Sequence, residues 1–350
     1  MTVNTILPVS VVWDEGIVRI LNQQKLPEKT EFKALRTIED VWEAIVALQV
    51  RGAPAIGIVA AFGLNLGIQQ LEEMSAEQFL AKVKECAEYL IGAMPTADNL
   101  AWAVNRVVHA AHTETTVEAM KETMLNEALN IQKEEEEIYK KIGEYTLLLL
   151  DEAKIVMTHC NADSIATSRY GTALAALHLA KERGEIIACV ATETRPVLQG
   201  ARLAAWELQQ NGVPVTLITD NMVSHVLSQG NVDAIIVGAD RIANNGDTAN
   251  KIGTLQLAIV ANHFHIPFYV CAPLSTIDTS IASGKEIKIE ERPSEEVTTI
   301  QGVQIAPTGI DVYNPAFDIT PSPLITAIIT EKGIVKDYYE QVFRLWKEEE

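Results

Sequence analysis

The second half of the chain alternates short apolar runs with longer segments of helical spacing. From about Ala153 onward, five runs rich in valine and isoleucine read KIVMTHC, EIIACVAT, PVTLIT, VDAIIVGAD and IPFYVCAP. In the segments between them, apolar residues recur at the spacing of a helix; these segments are Tyr170–Arg183, Leu198–Asn211, Met222–Gln229 and Asn250–His263. This alternation is typical of a parallel sheet covered by helices on both faces, because each crossover returns the chain to the same sheet edge. FDIT and ITAIITEKGIV near the end predict one more strand and one more helix.

The first 145 residues show a different pattern. VSVVW (9–13) and GIVRIL (16–21) flank an acidic turn ending in Gly16, which predicts a β-hairpin. Thr37 is followed three residues later by Asp40, as at a capped helix start, and 75–91 and 117–150 have helical spacing. We therefore predict an α/β protein with a mainly helical domain at 1–145, starting with a short hairpin, and a Rossmann-like parallel-sheet domain at 146–350.

Composition excludes several classes of function. The chain has 350 residues, enough for two domains, and its formal net charge is −19, which argues against a broad nucleic-acid-binding surface. Its longest apolar stretches, such as Ile56–Leu66, fall well short of the ~20 residues that span a bilayer. The four cysteines are widely spaced, and the first residues lack the features of a signal peptide. We expect a cytoplasmic protein that binds neither membrane nor nucleic acid.

Ligands of open α/β sheets bind beyond the carboxyl ends of the strands. Polar and reactive side chains gather at four such points, namely 159–162, 192–196, 220–221 and 238–241. Cys160 follows a strand and precedes a predicted helix, where a helix dipole would favour a reactive thiolate. A buried structural thiol is the alternative for this residue. Asp240 ends an apolar run, and it is either a general acid with a raised pKa or a helix cap paired with Arg241.

Two further segments place a cation beside small residues where a helix is predicted to begin. They are Arg51–Gly57 and Ala249–Gly253, and backbone N–H groups next to a fixed cation form a phosphate cradle. Close helix packing is the alternative explanation for these small residues. His159, His263 and His265 lack partners at the spacing of a metal site, so we predict no metal.

A set of longer motifs resembles the methylthioribose-1-phosphate isomerase family, in order and spacing, over nearly the whole chain. These motifs are RGAPAIG (51–57), THCNA (158–162), SRYGTAL (168–174), ETRPVLQGARLAAWEL (193–208), VGADRIANNGDTANKIGTLQLA (237–258), APLSTID (272–278), IEER (289–292), NPAFDIT (314–320) and ITEKGI (329–334). The family is related to regulatory subunits of the translation initiation factor exchange complex, which share the fold without the isomerase chemistry.

The resemblance implies an aldose–ketose isomerase of methionine salvage, an intramolecular oxidoreductase. Its substrate would be 5-methylthioribose 1-phosphate, its product 5-methylthioribulose 1-phosphate, and it would need no cofactor. By resemblance, the catalytic residues are Cys160 and Asp240. The implied substrate contacts are Arg51, Gly52, Ala53, Gln199, Asn250 and Lys251. The resemblance also implies a homodimer.

The chemistry fits these roles, because the C1 oxygen carries phosphate and the ring cannot open as a free hemiacetal does. An acid such as Asp240 can protonate the ring oxygen. Cys160 can take the C2 proton or stabilise the charge that develops there. Transfer of the hydrogen as a proton or as a hydride both remain open, and a closed apolar site suits either route.

The chain departs from the family pattern at two places. Met94 stands where members usually have arginine, and Asp163 stands where they usually have glycine. Three hypotheses follow: the family reaction, an isomerase of a related sugar phosphate such as 5-deoxyribose 1-phosphate, or a non-catalytic ligand-binding relative. Retention of Cys160, Asp240 and Lys251 favours an enzyme, and the family reaction ranks first.

Overall fold

The computed structural model describes residues 9–71, 74–95, 97–159, 163–167 and 169–348. Its contacts divide the chain into two compact units. Leu7–Ile138 and Asp163–Gly171 form one, which we call the helical unit. Tyr139–Ala162 and Thr172–Glu350 form the other, which we call the sheet unit. Among the described residues, no helix is both long and apolar enough to span a membrane.

The helical unit begins with a three-stranded antiparallel sheet and continues with helices. Its strands are β1 (Val11–Asp14), β2 (Ile17–Leu21) and β3 (Phe32–Leu35), in that order across the sheet. Its helices are α1 (Ile38–Val46), α2 (Ala53–Ile68), α3 (Ala76–Ile91), α4 (Asp98–Ala111), most of α5 (Val117–Leu149) and α6 (Asp163–Ala166). The predicted hairpin is confirmed, with Val11 opposite Ile20, and Thr37 caps α1 through a capping box with Asp40.

Helix α2 lies at the centre of the helical unit. Its sequence is apolar on all sides, and nearly all of its residues are buried, as expected of a helix that other helices surround. Asn65 is the polar exception, and its side-chain amide donates to the Ala61 carbonyl one turn earlier. Met94 is half-buried and packs against this apolar core.

The sheet unit contains two main sheets and a short hairpin. Its strands are β4 (Ile155–His159), β5 (Ala188–Glu193), β6 (Val215–Thr219), β7 (Ala234–Val237), β8 (Arg241–Ala243), β9 (Thr248–Lys251), β10 (Phe268–Cys271), β11 (Ile277–Asp278), β12 (Thr299–Ile300), β13 (Val303–Gln304), β14 (Phe317–Thr320), β15 (Ala327–Thr330) and β16 (Gly333–Val335). Its own helices are α7 (Ala175–Glu182), α8 (Ala205–Gln210), α9 (Val223–Ser228), α10 (Thr254–His263), α11 (Glu295–Thr298) and α12 (Tyr339–Glu348).

The larger sheet has seven strands in the order β16-β15-β10-β7-β4-β5-β6. All neighbours are parallel except β15 and β16. The five predicted runs form β4, β5, β6, β7 and β10, which confirms the α/β class. From β4 the chain proceeds outward through β5 and β6, and it then crosses to β7 on the other side. The strand order therefore reverses between β4 and β7.

The smaller sheet has the order β11-β8-β9-β14. Two predictions are wrong, one in this sheet and one at the edge of the larger sheet. The segment predicted as a helix from Asn250 starts instead in strand β9, because Asn250 pairs with Asp318 of β14, and α10 begins only at Thr254. FDIT forms β14 of this sheet. The apolar segment after it forms the antiparallel pair β15–β16 and not a strand and helix, since the chain reverses at Glu331 and Lys332.

Helix α5 is continuous from Val117 to Leu149, so the predicted boundary between residues 145 and 146 falls inside it. Its last turns belong to the sheet unit. A side chain at Gly143 would come within 2.9 Å of Ala175 at the start of α7, and the Thr146 hydroxyl lies 3.4 Å from the Cys271 sulfur of β10.

Candidate functional site

The carboxyl ends of β4 and β7 meet at the point where the strand order reverses. Crevices at such points are where open α/β sheets bind their ligands. His159 is the last residue of β4, and Asp240 follows the end of β7 by three residues. Cys160, the residue after His159, lies outside the described residues, as do Asn161 and Ala162.

Asp240 enters the smaller sheet directly after this crevice. Its backbone N–H donates to the Ala249 carbonyl at 2.9 Å, which ties it to strand β9. The side chain keeps contact with solvent, although protein closely surrounds the carboxyl group. This desolvation raises the pKa of Asp240 to about 6, and the nearby charge of Lys251 acts in the opposite direction. Such a carboxyl is protonated in roughly one molecule in ten at pH 7, so it can donate a proton.

Asn250 and Lys251 lie at the end of β9, next to Asp240. Asn250 is buried, and its amide donates to the Thr254 hydroxyl at 3.1 Å. That hydroxyl donates in turn to the Lys251 carbonyl at 2.7 Å. The Lys251 ammonium lies 5.9 Å from the centre of the Phe317 ring, and it forms no ion pair within the part of the chain that the structure describes. Lys251 is therefore a cation available to an anionic ligand.

A carboxylate of the protein itself caps the N-terminus of α10. Gly253 precedes the helix with a left-handed backbone (φ 101°) and has no side chain to cap it. The Asp318 carboxylate of β14 caps it instead, accepting from the N–H of Gly253 at 2.8 Å and of Leu255 at 3.0 Å. The predicted phosphate cradle at 249–253 thus lacks these two free N–H groups, and Lys251 is the cation of this segment.

His159 is almost fully buried and bonded through both ring nitrogens. Nε2 lies 3.0 Å from the Ile252 carbonyl oxygen, and Nδ1 lies 2.8 Å from the Thr192 hydroxyl. Because a carbonyl only accepts, Nε2 carries the proton, and Thr192 donates to Nδ1. Burial lowers the pKa of His159, which favours this neutral tautomer. From the sequence, His159 is one of the polar residues at a strand end and is rejected as a metal ligand. Its bond to the Ile252 carbonyl has no signal in the sequence.

Gln199 is half-buried and follows β5 at the same edge of the larger sheet. It precedes a π-helical turn, Gly200–Ala204, which leads into α8. The turn packs closely on β5, since a side chain on Gly200 would lie 1.9 Å from the Thr192 carbonyl oxygen. π-Helical turns are frequent at functional sites.

Arg51, Gly52 and Ala53 lie at the start of α2 in the helical unit. Gly52 has φ 99°, and a side chain there would collide with the Ala166 carbonyl oxygen at 2.2 Å. The buried Gln23 amide donates to the Arg51 carbonyl at 3.2 Å and to the Ile165 carbonyl at 2.7 Å. Among the described residues no side chain caps α2, whose N-cap is Gly52, and the N-terminus of a helix favours an anion.

The structure brings together some of the predicted residues. Asp240, the residue before β8, is bonded to β9, which carries Asn250 and Lys251. Gln199 follows β5 of the larger sheet. The segment 51–53 belongs to the helical unit, and Cys160 is not described. Asp163 begins α6. The described residues contain no group of three histidine, cysteine, aspartate or glutamate side chains that could hold a metal.

Comparison with known proteins gives consistent matches. Residues 49–337 match the initiation factor 2 subunit family. The methylthioribose-1-phosphate isomerase of Geobacillus thermodenitrificans is 58% identical over 334 residues, 95% of this chain and 94% of that protein. The crystal structure of 5-methylthioribose 1-phosphate isomerase from Pyrococcus horikoshii is 43% identical, with a TM-score of 0.94 over 98% of this chain and 97% of that one. The crystal structure of the translation initiation factor eIF-2B, subunit delta, from A. fulgidus is also 43% identical, with a TM-score of 0.92 over 96% and 99%.

Proposed function

The chain belongs to the initiation factor 2 subunit family, and within that family we infer that it is an isomerase of methionine salvage. It converts 5-methylthioribose 1-phosphate to 5-methylthioribulose 1-phosphate. The observation that carries this inference is the match, over 95% of the chain, to a relative with that name. The residues at the strand switch point support it, because they supply an acid and a cation where a sugar phosphate would need them.

The proposed reaction opens the furanose ring and moves one hydrogen. Asp240 protonates the ring oxygen as its bond to C1 breaks, which its raised pKa permits near neutral pH. The C2 hydrogen then moves to C1, and the 2-hydroxyl gives up its proton as C2 becomes a ketone, which balances the proton that Asp240 gave to the ring oxygen. C1 keeps its phosphate ester throughout. We propose Cys160, the residue after the end of β4, as the second catalytic group, which takes the C2 proton or stabilises the developing charge.

Binding is proposed to rest on two sets of groups. In the sheet unit, the Lys251 ammonium, the Asn250 amide and the Gln199 side chain contact the substrate. In the helical unit, Arg51, Gly52 and Ala53 contact it, through a guanidinium and the first amides of α2. A charge-assisted hydrogen bond to phosphate contributes about 1.5–3 kcal/mol, so Lys251 is a major determinant of affinity.

The organisation of the protein follows the same proposal. We propose a mainly helical domain at 1–145 that starts with a hairpin, a Rossmann-like domain at 146–350, and a cytoplasmic homodimer that takes a phosphorylated pentose. A mass of twice 38.4 kDa in light scattering would support the dimer, and a mass of 38.4 kDa would contradict it.

A second candidate is a binding protein without catalysis, since one solved structure of equal identity is named as a translation initiation factor subunit. Asp240 favours the enzyme, because a binding role gives no reason for a proton-donating carboxyl at the switch point.

Purified protein with methylthioribose 1-phosphate, and separately with 5-deoxyribose 1-phosphate, tests the proposal. We expect ketose from the methylthio compound, with higher kcat/KM than from the deoxy compound. Cys160→Ser and Asp240→Asn should each abolish turnover without unfolding the chain. Higher kcat/KM on the deoxy sugar would reassign the substrate, and folded wild-type protein silent on both would favour the binding protein.

A further inference from the structure

The three residues from Lys251 to Gly253 connect β9 to α10 and are held from two directions. On one side, the Asp318 carboxylate accepts from the Gly253 N–H at 2.8 Å. On the other, the His159 ring donates to the Ile252 carbonyl at 3.0 Å. These two bonds hold the carbonyl oxygen and the N–H of one peptide group, the one between Ile252 and Gly253. The peptide group before it is held by the bond from the Ile252 N–H to the Ala316 carbonyl at 3.0 Å and by the Thr254 hydroxyl, which donates to the Lys251 carbonyl. The backbone that follows Lys251 is therefore fixed at both peptide groups, and His159 supplies one of the four bonds.

His159 also fits this segment closely in shape. A side chain on Gly253 would lie 2.8 Å from Cε1 and 2.9 Å from Nε2 of the ring, so the imidazole packs directly on the glycine. Thr192 of the neighbouring strand bonds the other ring nitrogen at 2.8 Å and sets the ring's orientation. The ring is therefore a spacer of defined size between β4 and the connection to α10.

The same bonds exclude a proton-transfer role for this histidine. The Nε2 proton is directed at a carbonyl, the Nδ1 lone pair is taken by Thr192, and the side chain is 1% exposed. Neither nitrogen has an open direction toward a reacting group. The charge of Asp220 acts to raise the pKa of His159, against the larger effect of burial, and its carboxylate lies 4.0 Å from the position of a Cβ added to Gly253.

We propose that His159 is a positioning residue that fixes the Lys251–Gly253 segment and thereby aims the Lys251 ammonium at the substrate phosphate. This inference rests on the proposed function, since it takes Lys251 as a phosphate contact. Because the phosphate is bound throughout the reaction, loss of His159 should weaken substrate binding as well as turnover.

Two substitutions separate the hydrogen bond from the volume of the ring. His159→Phe keeps a ring against Gly253 and removes the donor to the Ile252 carbonyl. His159→Gln places an amide N–H near the position of Nε2 and restores that donor. The matched control is Thr158→Val, which removes a buried hydrogen bond from the adjacent residue of β4, 2.9 Å to the Ile236 carbonyl, without touching the segment.

We expect His159→Phe to raise KM and lower kcat/KM for methylthioribose 1-phosphate about 10- to 100-fold, as small misplacements of a binding group do. His159→Gln should recover most of this loss, and Thr158→Val should stay within about 3-fold of wild type. If His159→Phe does not fold, Thr192→Val should raise KM in the same direction, because it removes the bond that orients the ring, together with the longer bond from the Thr192 hydroxyl to the Thr158 carbonyl at 3.4 Å. Unchanged KM in the Phe variant, equal loss in Thr158→Val, or no recovery by glutamine would overturn the proposal.

Amide hydrogen exchange of Gly253 and Leu255 gives a readout that does not depend on activity. In His159→Phe we expect both amides to exchange faster than in wild type, and in His159→Gln at nearly the wild-type rate. If wild type is silent on the sugar phosphate but this pattern holds, the proposed function fails while the positioning of the segment stands. Exchange that does not change in the Phe variant would refute the positioning role directly.

Discussion

The environment of Asp240 favours its protonated form, which suits a proton donor and lowers the stability of the folded chain when the carboxyl ionises. A carboxyl held in a poorly solvating environment binds its proton more tightly, which is what a proton donor near neutral pH requires. The same environment disfavours the carboxylate in the folded chain, so ionisation of Asp240 opposes folding. Lys251 reduces this cost and does not remove it, because the pKa remains raised to about 6.

Asp240→Asn should therefore inactivate the protein and stabilise it. The folded chain binds this proton more tightly than the unfolded chain, so the contribution of Asp240 to unfolding free energy falls as pH rises from about 4 to about 6. Asparagine resembles the protonated form and avoids the loss. We expect the Tm of Asp240→Asn at pH 7.5 to exceed that of wild type by about 1–2 °C, a small rise because solvent reaches the carboxyl. Near pH 4 we expect the two proteins to have the same Tm. A lower Tm for Asp240→Asn at pH 7.5 would show that the carboxylate is stabilised by the fold.

Lys251→Met tests the cation at the end of β9. Loss of a charge-assisted bond to phosphate should raise KM about 10- to 150-fold. It should also move the alkaline limb of the kcat/KM profile, expected near pH 6 from Asp240, to higher pH, because Lys251 lowers the pKa of Asp240. Lys141→Met, at an exposed position of α5, is the control and should change neither. An unmoved alkaline limb would mean that Asp240 is not the acid observed.

The five main strands of the larger sheet and their parallel type could be predicted from the sequence, and the strand order and the connections near the site could not. The five runs rich in valine and isoleucine became strands of the larger sheet, and in four of them most residues are buried, which leaves a signal along the whole strand. The edge strand β6 is the exception, since it is partly exposed. Strand β9 reads Thr-Ala-Asn-Lys and carries no such signal, since its pairing with β8 and β14 determines its conformation. The Asp318 cap of α10 comes from 65 residues away, and local helix-start patterns do not reveal it.

Gly52→Ala tests the close approach at the start of α2. The new Cβ would lie 2.2 Å from the Ala166 carbonyl oxygen, and φ at 99° is unfavourable for alanine. Gly184→Ala is the matched control, because Gly184 also has a positive φ, 81°, but no atom within 4 Å of an added Cβ. We expect the free energy of unfolding, measured with urea, to fall by about 1–2 kcal/mol in the control and by at least about 3 kcal/mol in Gly52→Ala. Equal costs would mean that the backbone conformation alone requires glycine.

At the scale of the whole molecule, the sequence predicted the class of the fold and, through the family resemblance, the function. The net charge argues against a broad basic nucleic-acid-binding surface. The proposed roles of residues near 51 and near 251 come from the family resemblance, since no local pattern links the two segments. Helix α5 shows a related limit: its helical spacing is uniform, and only tertiary contacts assign its last turns to the sheet unit.

The net charge of −19 makes a prediction about the folded chain as a whole. Self-repulsion among excess carboxylates opposes the compact state, and salt screens it. We expect Tm at pH 7.5 to rise by several degrees between about 10 mM and 300 mM NaCl. Near pH 4.8, where the chain approaches neutrality, the effect should vanish. A Tm that falls with salt at pH 7.5 would mean that attractive ion pairs outweigh the repulsion.

The decisive measurement is the conversion of methylthioribose 1-phosphate by the wild-type protein, followed by NMR of the sugar carbons. We expect the C1 resonance of the furanose 1-phosphate to disappear and a C2 ketone resonance to appear. The Asp240→Asn variant should leave the substrate unchanged. A folded wild-type protein that leaves the substrate unchanged would contradict the proposed isomerase. An Asp240→Asn variant that converts the substrate at the wild-type rate would contradict the proposed role of this carboxyl as the acid.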